Sequence, residues 1–394
     1  MLTGSTGMFS ASVPLCYCTN VHPCRKGSDV ERVLDQYTIP VRQRCGFDIG
    51  AGLWLPADAL GEVIVDSTRM KAVRQALDAR GLVCYTLNAF PYGDFHSERV
   101  KEQVYLPDWS DSSRLDYTTE CAELLAHLLP DGMDGSISTL PLASKLFRHA
   151  DDFYPIVIAH LIELANRFDR LATRTGQIIR LAIEPEPYCL LETTAETVEF
   201  FQRLWSVADD VGCGEVARRH LGVCYDVCHQ AVEFENAADA IRALQQADIR
   251  INKVQISCAI ELEDASDTAA RSALARFVEP RYLHQTMART ADGHVLRVPD
   301  LTTELTSHPN AEWLAATTWR THFHVPVDAE RIGILRTTRS ELRRALAAIA
   351  QLDYAPHLEV ETYTWPVMPG ATPVSLVDGL ARELIATRQL IQAT

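Results

Sequence analysis

Three short apolar runs in this chain each end in acidic or imidazole side chains. They are Arg180–Pro187 (RLAIEPEP), Leu221–His229 (LGVCYDVCH) and His357–Trp365 (HLEVETYTW). Carboxylates and imidazoles are the donors that divalent ions of the Mg, Mn and Zn type accept. Glu184, Asp226, His324 and Glu361 would give three carboxylates and one imidazole, with positions left open for a ligand. That set suits Mn, Zn or Fe, and a bound ion would polarise a carbonyl or hydroxyl. Glu184 or Glu361 would then move a proton at the neighbouring carbon. Any one of these acids alone also fits a helix cap or a surface ion pair. Their recurrence at the ends of successive strand-like runs is what points to a site.

Further residues group around this set. His229 follows Asp226 as D-x-x-H, placed to ligate a second metal or to meet a substrate hydroxyl as a catalytic group. His322 and His324 alternate with Phe323, so on an extended chain both imidazoles face one side. Glu186 lies two residues past Glu184 between Pro185 and Pro187, and is placed to contact a ligand. Gln255 shares a face with Lys253, and its amide suits a substrate hydrogen bond better than a metal. His22, Asn88 and Trp365 stand at the ends of other strand candidates, where they would line a pocket; core packing and helix caps explain them equally well.

These side chains need elements that bring their ends together. Strand candidates at 13–21, 47–55, 82–90, 136–142, 178–186, 221–226, 251–257 and 357–362 alternate with helical stretches. The helices are expected at 28–44, 68–80, 113–129, 151–175, 194–207, 237–246 and 338–352. Gly81 and Gly176 read as helix stops, and Thr193 or Thr194 as a cap. Such alternation predicts βαβ units and an α/β (β/α)₈ TIM barrel, whose active site sits at the C-terminal ends of its strands. A ninth candidate, THFHVPV at 321–327, competes with VQIS for the seventh strand. The reading adopted puts VQIS in the barrel and HFHV across the rim. The whole chain, 1–394, reads as one barrel domain with an insertion or lid at 258–320.

A net charge of −15 disfavours nucleic acid, whose phosphates need a basic surface. It leaves room for a small-molecule metabolite or polyol-like substrate. Eleven cysteines without C-x-x-C pairs fit reduced thiols and a cytoplasmic protein better than a disulfide framework. The opening MLTGSTGMFS does not resemble a signal peptide, and no run is long and apolar enough for a membrane span. Nucleophile-elbow, P-loop and dinucleotide fingerprints are all missing.

E-P-E-P, D-V-C-H, H-F-H and E-V-E-T resemble the strand ends of the xylose isomerase-like TIM-barrel superfamily, which includes sugar isomerases, sugar epimerases and endonuclease IV. That resemblance implies a metal-dependent isomerase or epimerase, with Glu184, Asp226 and Glu361 as the matching carboxylates and His229 as the matching histidine. The usual strand-seven histidine is replaced by Gln255, and His324 is placed to take over from the rim. More narrowly, YCTNVHP, VYLPDW, YLHQT, HFHVPV and HLEVETYTW resemble the EboE family of metabolite traffic proteins. This implies a role in moving a secondary-metabolite precursor, with a UbiA-type prenyltransferase as a pathway partner. A non-catalytic metabolite carrier or assembly factor is the alternative to an enzyme. The phosphodiesterase chemistry of endonuclease IV is disfavoured by the acidic charge.

Overall fold

The computed structural model describes residues 13–370 and 373–394; the opening stretch read above for a signal lies outside them. Seven short strands appear first: β1 (Cys16–Cys18), β2 (Gly50–Gly52), β3 (Thr86–Asn88), β4 (Gly135–Thr139), β5 (Ile179–Ile183), β6 (Leu221–Asp226) and β7 (Ile251–Ile256). Six more form a separate sheet: β8 (Ile260–Leu262), β9 (Thr286–Arg289), β10 (Val295–Val298), β11 (Thr318–Thr321), β12 (Arg331–Ile332) and β13 (Leu335–Thr337). The last, β14 (His357–Val360), returns to the first sheet.

That first sheet is parallel throughout, in the order β2-β1-β14-β7-β6-β5-β4-β3. Its two ends meet through bridges from Gly50 to Val83 and from Leu53 to Leu87, so the eight strands make a nearly closed barrel. Strands buried on both faces must be apolar outside, and polar inside only where partners exist. The helix Phe153–Thr175 shows how the outer layer is built. Val157, Leu161, Leu164, Phe168 and Leu171 lie three or four residues apart and are all buried. Gly176 ends it in the left-handed conformation at φ 74°. Helix Thr194–Asp210 begins with a capping box between Thr193 and Glu196.

Inside the barrel, Lys253 on β7 meets Glu359 on β14 at 2.7 Å, and both side chains are fully buried. Space for this pair comes from β2, because a Cβ on Gly52 would fall 1.5 Å from Glu359 Oε1. The ion pair forms the floor beneath the acidic strand ends.

The second sheet is antiparallel, in the order β10-β9-β11-β8-β13-β12, and it is built from the segment between β7 and β14. It docks over the C-terminal ends of β6 and β7. Met287 packs on Cys228 and Val232, and Arg320 Nη1 donates to the Ala231 carbonyl at 2.7 Å. VQIS supplies the seventh barrel strand, hydrogen-bonded to both neighbours. The strand expected at 321–327 is displaced. The ladder runs from Thr318 to Thr321, and residues 322–325 then leave it. Their backbone bonds go elsewhere, from His322 N–H to the Gln285 carbonyl and from Val325 N–H to the Cys258 carbonyl. Pro326 has no N–H with which to resume a ladder.

Candidate metal centre

Glu184 follows β5, and its backbone N–H donates to the Thr139 carbonyl across the barrel rim at 3.0 Å. Asp226 closes β6. Its Oδ1 accepts from Ser257 Oγ at 2.8 Å and from the His229 N–H at 2.9 Å. Glu361 follows β14, and its Oε1 accepts from Asn20 Nδ2 at 2.8 Å and Asn88 Nδ2 at 3.0 Å. His324 reaches in from the segment that follows β11. Its Nδ1 donates to the Glu361 carbonyl at 2.9 Å, leaving Nε2 as a bare lone pair 3.9 Å from Asp226 Oδ2. A histidine held this way is set up as a metal ligand.

Ligand atoms of Glu184, Asp226 and Glu361 lie within 4.8 Å of one another, and so do those of Asp226, His229 and His324. Glu184 Oε2, Asp226 Oδ2 and His324 Nε2 are buried without a hydrogen-bond partner in the protein. Buried polar atoms are rarely left unpaired. These three belong to two ligand groups that share Asp226, and all are good donors to a divalent cation, so they fit a metal ion.

A second group adjoins the first. His229 Nδ1 donates to the Pro185 carbonyl at 2.9 Å. Gln285 Nε2 donates to Tyr105 Oη, Glu186 Oε1 and the Pro187 carbonyl, so its Oε1 must be the acceptor for His322 Nδ1 at 2.7 Å. Both imidazoles therefore present lone pairs at Nε2, and these two nitrogens face each other at 3.1 Å. Such a pair demands a proton or a cation. Ligand atoms of Glu186, His229 and His322 also lie within 4.8 Å of one another.

Electrostatics follow from burial. It pushes Glu361 up to about 8, helped by Asp226 and Glu359. Glu184 is raised well above the carboxylate range by burial and then by Glu361 and Asp226. Glu186 is raised by burial too. Burial lowers His324 to about 4 and drives His322 well below the usual imidazole value. Acids that resist ionising beside imidazoles that stay neutral form a set that a divalent cation would complete.

A pocket enclosing about 500 Å³ of empty space, its open mouth included, lies over this centre. Asn88, Glu184, Glu186, His229, His322 and Glu361 all line it. Three expected pocket residues do not. His22 turns outward after the 3-10 turn Thr19–Val21, stacks on Tyr37 at 3.9 Å and contacts Tyr17 Oη at 3.2 Å. Asn20 takes its place at the site. Gln255 is fully buried one layer lower, paired in register with Glu359 and Asp226. Two residues later Ser257 reaches Asp226 instead. Trp365 anchors the C-terminal helix Pro373–Ala393, its Nε1 donating to Glu383 Oε2 at 2.9 Å.

No family model and no curated protein sequence matches the chain. Solved structures do. A xylose isomerase-like TIM barrel protein from Mycobacterium smegmatis in complex with magnesium matches with a TM-score of 0.54 at 13% identity, covering 98% of this chain and 99% of that one. The IOLI protein with a binding zinc atom gives 0.51 at 12% identity, covering 97% and 99%. A D-tagatose 3-epimerase-like protein gives 0.50 at 11% identity, covering 97% and 98%. The fold is a xylose isomerase-like TIM barrel.

Within this xylose isomerase-like barrel, several functional neighbours escaped sequence reasoning. Asn20 stands two residues past Cys18, and Tyr363 two past Glu361, so period-two alternation would have found both. Tyr105 comes from a loop 81 residues before its partner Glu186, with no local signal.

Proposed function

We propose that the protein is a metal-dependent enzyme of the sugar isomerase or epimerase type, moving a proton at a carbon bonded to oxygen. The observation that carries this reading is a pair of ligand triads that share Asp226, Glu184–Asp226–Glu361 and Asp226–His229–His324, beneath a pocket that Glu184, His229 and Glu361 line; Glu184 Oε2, Asp226 Oδ2 and His324 Nε2 in them are buried and unpartnered. A bound divalent ion would supply Lewis acidity to a substrate carbonyl or hydroxyl. Glu184, Asp226, His324 and Glu361 would hold it.

The protein's own groups supply the rest. Asn20 and Asn88 fix one oxygen of Glu361 and leave the other free to bind or to accept a proton. Burial raises Glu184 and pushes Glu361 up to about 8, towards the range where a general acid and base work best. The His229–His322 pair, with two facing lone pairs, is placed to take a hydroxyl proton from a ligand or to bind a second cation. Glu186 is already engaged by Tyr105 and Gln285, so its role is to orient that pair.

The place of this chemistry in a secondary-metabolite pathway, in the manner of EboE-type metabolite traffic with a UbiA-type prenyltransferase as partner, rests on the shared sequence strings alone. The alternative of a non-catalytic carrier draws on the apolar pocket wall, which favours retention of a ligand. Incubating metal-loaded protein with ketoses and aldoses in D₂O separates the two. Deuterium is expected at the carbon next to the carbonyl, with the rate falling ~10²–10⁴-fold in Glu361→Gln. Saturable binding without any deuterium uptake would sink the enzyme reading in favour of the carrier.

A further inference from the structure

The pocket wall facing the acidic centre is built from carbon. Phe95, Tyr282 and Tyr363 form a three-ring cluster, with centroids 4.8 Å (Phe95–Tyr282), 5.3 Å (Phe95–Tyr363) and 5.0 Å (Tyr282–Tyr363) apart. Tyr363 continues onto the His324 ring at 4.8 Å, so the cluster reaches the ligand set itself. Phe90 and Val104 extend the same wall.

Two hydroxyls and the one ammonium of this wall are already used. Tyr282 Oη donates to the Phe95 carbonyl at 3.1 Å, and Tyr105 Oη donates to Glu186 at 2.7 Å. Lys101 is the one cation among the described lining residues. Its ammonium is bound by the Glu279 and Tyr282 carbonyls at 3.0 and 2.6 Å and by Asp300 at 2.7 Å. A bare polyol would leave its far hydroxyls unpaired here, and a phosphate would find no free cation. An apolar substituent would displace water from the ring faces.

We infer that the pocket takes an uncharged α-hydroxy carbonyl compound bearing an aromatic or other apolar substituent. Its two oxygens lie at the acidic centre and its substituent lies against Phe90, Phe95, Val104, Tyr282 and Tyr363. This rests on the metal-centre reading above and narrows its substrate from a sugar-like polyol to an amphipathic ligand.

Three compounds with a common α-hydroxy ketone test it by calorimetric titration of the metal-loaded protein. They are 2-hydroxyacetophenone, dihydroxyacetone and dihydroxyacetone phosphate. The aryl ketone is expected to bind at least ~tenfold more tightly than dihydroxyacetone, about 1.4 kcal/mol, and the phosphate most weakly. Equal affinities, a preference for the phosphate, or no binding of the aryl ketone at millimolar concentration would overturn the inference. Val104→Lys, a half-buried position on the rim, is expected to erase the aryl preference and raise phosphate affinity. Phe95→Ala should narrow the preference without charge. An unchanged ratio in both variants, with the far-UV spectrum retained, would also overturn it. Repeating the titration on chelated protein separates the two readings. Aryl binding that survives chelation supports the apolar subsite while removing the metal; loss of all binding supports both.

Discussion

Stripping divalent metal from the protein is expected to lower its melting temperature by ~3 °C at about pH 8, and hardly at all at about pH 5. The magnitude follows from linkage: an ion present at ~100 times its dissociation constant stabilises the folded state by ~2.7 kcal/mol. The pH dependence follows from Glu361, whose carboxyl burial raises to about 8, with Glu184 shifted the same way. In the unfolded chain a glutamate titrates near ~4.3. A folded value above the unfolded one means the unfolded state loses its proton first. The stability this group contributes is thus complete below ~4.3 and is lost as pH rises towards about 8. Metal reverses the trend, because it binds the ionised carboxylates and gains affinity as protons leave. Thermal melts with and without chelator across this range check it. Superimposable curves at about pH 8 would remove the metal from the site.

Lys253→Met is expected to be the most damaging single change outside the ligand set. It would leave Glu359 buried and unpaired in the barrel floor, a loss of ~3–5 kcal/mol. The Glu359 carboxylate holds Lys253 charged against burial, which pulls the other way. The double change Lys253→Met with Glu359→Leu should recover most of that loss, because a buried pair and an apolar replacement are often similar in stability. Urea denaturation of the parent, both single variants and the double variant gives the coupling. A loss below ~1 kcal/mol in Lys253→Met would show that the pair does not support the floor. Lys253 also draws Glu184 towards ionisation, so the single Lys253→Met change should weaken metal binding as well.

Most of the barrel was legible because period-two and period-3.6 apolar patterns are local. RLAI, LGVCYD and HLEV could be placed as buried parallel strands from side-chain type alone. The carboxylates at their ends came with them, since a residue just past such a strand has little choice but to face the rim. HFHV was kept out of the barrel by the same reasoning, as it is in the structure, but was given too much strand character. Its alternation looked like a strand, but its backbone bonds run to Gln285 and Cys258, segments distant in sequence. The three pocket misassignments share a cause. His22, Gln255 and Trp365 were placed by counting from strand ends, and a 3-10 turn, a one-layer offset and a docking contact with Glu383 each moved the side chain away. The six-stranded sheet over β6 and β7 left only broken signals, because its strands are two to four residues long and pair across long separations.

The central claim is that Glu184, Asp226, His324 and Glu361 hold a divalent ion. Elemental analysis of the purified protein tests it most directly, alongside Asp226→Ala, Glu361→Ala and His22→Ala. Stoichiometric Mn, Zn or Fe is expected in the parent and in His22→Ala, and its loss is expected in the other two. Absence of metal from the parent after incubation with each of these ions would contradict the claim, and so would full retention in Asp226→Ala.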